Sequence, residues 1–146
     1  MIEKSVIEKN MIQNRPVIRV RDVMKTDFGT IDGIATIADA LKQMKSLKTA
    51  VLIVNKRHAD DEIGMITSGD IARHVLAKDR APDRVNVYEV MSKPVISVRP
   101  DMDIRYCSRL FANYNLVRAP VIENDQVVGM VSPNSLVLDG LYNTFQ

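Results

Sequence analysis

The sequence predicts an α/β fold made of two tandem copies of one small unit, related by a pseudo-twofold axis, each a small sheet covered by helices. Three observations predict it. Val23 Met24 returns as Val90 Met91, and Gly64 Met65 Ile66 Thr67 returns as Gly129 Met130 Val131 Ser132. The first landmark recurs after 67 positions and the second after 65, so a unit of that length is duplicated with small loop differences. Between the landmarks, Ile37, Ala40 and Met44 match Ile104, Cys107 and Phe111, and both triplets carry the i, i+3, i+7 spacing of one helical face. Two similar lobes leave a cleft between them, a natural place for a ligand.

Residues 1–16 precede the first copy. Ile2, Val6 and Ile12, interspersed with charges, suggest an extra helix or a flanking arm, and Asn14 Arg15 Pro16 breaks any helix there. The copies then occupy 17–80 and 81–146, and each reads as short strand, helix, hairpin, helix. After each helix comes a compact apolar run, Ala50 to Val54 in the first copy and Ala119 Pro120 Val121 Ile122 in the second. Runs this short and β-branched read as buried strands. A polar turn follows, Lys56 to Asp61 or Asn124 Asp125, and leads into the strand that ends in the Gly-Met element, which completes a hairpin. Each hairpin feeds a second helix. Thr67 or Ser68 caps one running through Ile71, Ala72, Val75 and Leu76, and Ser132 followed by Pro133 fits an N-cap with proline at the first helical position.

Composition narrows the function classes. At 146 residues, 46% hydrophobic and 26% charged, the chain has enough apolar side chains for a core and resembles an ordinary soluble globular protein. The one cysteine, Cys107, falls on the apolar helical stripe, reads as a small core residue and points to a reducing, cytoplasmic setting. The charged start, Met1 Ile2 Glu3 Lys4, and the shortness of every apolar run predict neither a signal peptide nor a membrane span. The net charge of +2 comes from 20 basic and 18 acidic residues spread along the chain, with no tryptophan, so a nucleic-acid interface is not expected. Arg15, Arg19 and Arg21 read as a solvated edge. His58, Asp60, Asp61 and Glu62 fall in a hairpin turn, where polar residues are expected without a metal. No nucleophile, base and orienter come together, so no enzyme is predicted.

The ordered set of motifs, a Val-Met start, a helix, an apolar strand with Pro-Val, and a Gly-x-x-Thr/Ser element opening the last helix, resembles the cystathionine β-synthase (CBS) domain. Two copies in tandem are similar to a Bateman module, over about residues 17–142.

In Gly64 Met65 Ile66 Thr67 Ser68 Gly69 Asp70, a hydroxyl and free backbone N–H groups meet a helix start that favours a phosphate oxygen. Asp70, one turn on, has the acceptors for two ribose hydroxyls. By spacing alone, Thr67 as a helix cap and Asp70 completing its first turn is the favoured account. The resemblance implies the ligand role, because nucleotide-binding CBS modules use these positions for phosphate and ribose. It further implies Thr30, Ile31, Ser97 and Val98 around the base, Ser68 and Ser132 near phosphate, and Arg118, Ala119 and Pro120 at a place where a basic residue often reaches phosphates. The first copy reads Lys48 Thr49 Ala50 in that region, which the alignment of the copies makes two residues shorter. Ser135 replaces the aspartate in the second copy, and Pro133 removes a donor, so the two sites are expected to be unequal, with the Asp70 site the better.

The function this implies is a non-enzymatic regulatory module. It binds AMP, ADP or ATP between its repeats, requires no obligatory cofactor, and passes occupancy to a client protein. The alternatives are a constitutive dimerisation or scaffold module with a vestigial site, or binding of S-adenosylmethionine or nucleic acid. Apolar faces including Ile37, Met44, Leu47, Leu110 and Leu136 predict a homodimer paired through its helices.

Overall fold

A computed structural model describes residues 16–145; the arm expected over 1–16 lies outside them except for Pro16. The chain divides into two compact units. One spans Thr26–Ser97, and the other joins the stretch ending at Lys25 to everything from Val98 onward.

In the first unit, strand β1 (Thr30–Ile31) pairs in parallel with β2 (Val51–Val54), which pairs antiparallel with β3 (Gly64–Thr67). Between β1 and β2 runs a helix, Ile37–Leu47, whose start is set by a reciprocal cap: Thr36 Oγ1 accepts from the Asp39 amide and the Asp39 carboxylate accepts from the Thr36 amide, both at 3.1 Å. It stops at Lys48, in the left-handed region at φ 54°. The expected stripe faces inward: Ile37, Ala40 and Met44 pack with Leu52, Val54, Ile66 and Val75 in one core.

The second unit repeats the plan. A helix over Ile104–Tyr114 buries Ile104, Cys107 and Phe111, and β4 (Ala119–Glu123) forms a hairpin with β5 (Gln126–Val131). The turn at Asn124 and Asp125, both at positive φ, is the two-residue kind whose twist suits a hairpin. The counterpart of β1 shrinks to a single parallel bridge, Val98 to Val121.

The compact units are offset from the sequence repeats by one segment. Lys25 exchanges two backbone hydrogen bonds with Met130, each 2.8 Å, and Ser92 does the same with Met65 at 2.8 and 2.9 Å. The Val-Met segment that opens one sequence copy therefore adds an edge to the hairpin of the other. Glycine is required there: a Cβ on Gly129 would lie 2.7 Å from Met24 Sδ, and one on Gly64 would lie 2.8 Å from Met91 Sδ. The recurring Val-Met and Gly-Met landmarks are thus two halves of one packing contact, present twice.

Strand register also corrects the alignment at Arg118. Gly64 pairs with Val54 and Gly129 with Val121, which places Arg118 level with Val51 rather than with Lys48 or Thr49. The helix ends agree, with Lys48 and Asn115 both left-handed. The length difference falls in the hairpin loops, and that region of the first copy is not shorter.

Of the apolar residues expected to be left over for pairing, Ile37, Met44 and Leu136 are 0 to 7% exposed and belong to the cores; Leu47, at 52%, remains exposed. The principal exposed set is instead Val137, Leu138, Leu141, Tyr142 and Phe145 near the C-terminus. They lie on a π-helical stretch, Ser135–Leu141, and the short helix Tyr142–Phe145 that follows it.

In the hairpin loop of the first unit, Asp61 receives the Lys93 ammonium at 2.5 Å and the Arg57 amide at 2.9 Å. The Lys93 contact, then the amide, hold its carboxyl well below the usual carboxylate range. A depressed folded-state value means the stabilisation is complete above the unfolded carboxylate pKa of about 4 and is lost as pH falls through the folded value. Asp61→Asn is expected to flatten the fall of Tm below about pH 4. Calorimetry in pH steps checks this, and equal slopes for both proteins would contradict it.

Candidate ligand-binding site

β3 runs directly into a helical turn, Ser68–Ile71, which continues as a π-helical turn over Ala72–Leu76. Thr67 sits at the junction with extended backbone, φ −119° and ψ 160°. Its Oγ1 accepts from the Asp70 amide at 3.1 Å, and Asp70 Oδ2 accepts from the Thr67 amide at 3.0 Å. This reciprocal cap is the local reading of Thr67 and Asp70 realised in full. It also fixes the carboxylate in place, since Asp70 is only 7% exposed. The other oxygen, Oδ1, receives Arg73 Nη2 at 2.8 Å. Arg73 lies three residues beyond Asp70 and is its first-turn neighbour, a spacing the sequence itself displays.

Beside this turn lies the start of β2. The Ser68 amide donates to Ala50 O at 2.9 Å, and Val51 is level with Thr67. Ser68 is exposed and Thr67 half-buried, so their hydroxyl-bearing side chains lie at the solvent border next to the carboxylate. In the same unit, Thr30 is exposed and Ile31 buried on β1, and the Thr30 carbonyl accepts from Gln43 Nε2 at 2.6 Å. Ser97 closes the unit as an exposed residue.

The remaining candidates belong to the second unit. Ser132 Oγ lies 3.4 Å from both the Ser135 amide and the Ser135 hydroxyl, while Pro133 and Asn134 open the helix. Ser135 is 4% exposed and takes the place of Asp70 as an uncharged group. Arg118 is half-buried, level with Ser132 by strand register, and precedes the buried Ala119 and Pro120; Val98 is buried against Val121. Counting from the glycines of the two hairpins, Arg73 corresponds to Leu138. The second unit therefore replaces the Asp70 and Arg73 pair by Ser135 and Leu138. The strand-start cation is the reverse case, Arg118 in the second unit against the buried Val51 in the first.

Burial pushes the Cys107 thiol up to about 11, so it is a protonated core residue near neutral pH. Among the described residues no three His, Cys, Asp or Glu side chains converge on a possible metal position, and no helix is long and apolar enough to cross a membrane.

The CBS domain model matches the sequence twice, over residues 20–77 and 87–138. The chain belongs to the CBS domain family, as a tandem pair, and paired CBS domains are regulatory ligand-binding modules. The CBS domain-containing protein YhcV of Bacillus subtilis is 30% identical over 85% of this chain and 86% of its own length. A Methanopyrus kandleri protein is 32% identical over 82% of this chain, which spans 61% of that relative. Among solved structures, the hexameric CBS-CP12 protein from bloom-forming cyanobacteria is 37% identical, with a TM-score of 0.82 over 87% of this chain and 73% of that one.

Proposed function

We propose that this protein is a non-enzymatic regulatory module whose Asp70 site binds an adenosine nucleotide, AMP, ADP or ATP, and whose occupancy is read by a client protein. The observation that carries the reading is Asp70 itself. A carboxylate held 7% exposed at the head of a helix, beside the Thr67 and Ser68 hydroxyls, suits the two hydroxyls of a ribose with phosphate at the adjoining hydroxyl donors. The nucleotide is a regulatory ligand, and no obligatory cofactor is part of the proposal. The exposed apolar set over Val137 to Phe145 supports self-association through helices, with a homodimer as the expected unit.

A scaffold reading is favoured by one observation: both Asp70 oxygens already have partners within the chain. Isothermal titration of AMP, ADP, ATP and S-adenosylmethionine into the purified protein separates the two. Micromolar binding of an adenine nucleotide supports the sensor. Binding of S-adenosylmethionine alone would reassign the ligand class, and binding of none would leave the scaffold.

A further inference from the structure

We infer that Arg73 makes the Asp70 site selective for adenosine ligands that carry phosphate over those that do not; the inference rests on the proposed nucleotide role of that site. Asp70 is nine-tenths buried and cannot leave its position, because Oδ2 is tied to the Thr67 amide. Arg73 faces solvent by comparison: its side chain is 66% exposed, and the Asp70 contact is the hydrogen bond the described structure shows for it. The guanidinium extends back over the helical turn, with Nη1 3.3 Å from where a Cβ on Gly69 would stand, so it covers the open face beside the carboxylate.

A ribose that takes Asp70 through its hydroxyls competes with Arg73 for Oδ1. With an uncharged nucleoside, the guanidinium gives up its carboxylate and gains only water. With a phosphorylated ligand, it exchanges one anion for another within reach of a short swing, and its planar fork suits phosphate oxygens. The same residue thus opposes the nucleoside and favours the nucleotide. The second unit provides the internal contrast, since Ser135 and Leu138 offer neither the acid nor the cation. Arg118 has no counterpart in the first unit, where Val51 is buried, so within that unit Arg73 is the cation beside the acid.

The test is a titration series with adenosine, AMP, ADP and ATP against wild type, Arg73→Gln and Arg73→Lys, with Tm recorded for each. Arg73→Gln is expected to reduce the preference for the best nucleotide over adenosine roughly five- to tenfold, as for a partly exposed guanidinium contact. The loss should fall on the nucleotide, adenosine affinity being unchanged or raised, and Arg73→Lys should keep part of the preference. An unchanged ratio, or a parallel loss for every ligand with a lowered Tm, would overturn the inference while leaving the nucleotide reading intact. A wild type that binds none of the four would overturn both.

Discussion

Gly129→Ala is expected to destabilise the protein by about 2–3 kcal/mol, the upper part of the range for overpacking a tight contact. The added methyl would stand 2.7 Å from Met24 Sδ, 2.9 Å from Met24 Cγ and 3.0 Å from the Lys25 carbonyl. The methionine can move, but the carbonyl cannot without loosening the hydrogen bond it accepts from the Met130 amide. Gly64→Ala should behave alike for the equivalent reason, with Ser92 O at 3.2 Å. Gly69→Ala is the control. There the nearest atoms are the end of Arg73 at 3.3 Å and Thr67 Oγ1 at 3.6 Å, so the change should stay within about 0.5 kcal/mol. Urea titration of the three variants checks the order. A Gly129→Ala effect no larger than that of Gly69→Ala would contradict the exchanged-segment packing.

Asp70→Asn is expected to weaken binding of the preferred adenine nucleotide by roughly 30-fold or more, the scale for losing charge-assisted hydrogen bonds at a buried acceptor. The amide retains an oxygen for the Thr67 N–H, so the cap survives and stability should fall by only about 1 kcal/mol. Ser135→Ala, at the pseudo-equivalent position, should leave affinity within about twofold, because a serine contributes no charged acceptor there. Titration calorimetry reads all three proteins. Equal losses in the two variants would end the claim that the sites are unequal.

Much of this fold was legible because local rules and packing agree. The i, i+3, i+7 stripe at Ile37, Ala40 and Met44 places the helix, and the short β-branched run at Leu52 and Val54 places the strand it covers. The caps at Thr67 and Ser132 follow from residue type and position. Segment exchange was not legible: a repeat in sequence says which stretches are alike, but not which copy's hairpin the opening Val-Met segment completes. The level of Arg118 was hidden because the loop-length difference has no sequence mark, and pairing of Gly64 with Val54 and Gly129 with Val121 is what locates it. The unpaired apolar surface was misread for a similar reason. Leu136 and Leu138 look equivalent in sequence, yet only the backbone turn decides that the first is 3% exposed and the second 60%. At the candidate site, the Thr67 and Asp70 cap is legible in the motif, whereas the Arg73 contact is not, because an arginine on a surface helix usually has water for a partner.

The location of the ligand is the central claim, and backbone amide NMR during an ATP, ADP and AMP titration tests it most directly. The account predicts saturable shifts centred on Thr67, Ser68, Gly69 and Asp70, with the Ser132 to Ser135 amides moving less. Shifts confined to Ser132–Ser135, or none with any of the three nucleotides, would contradict it.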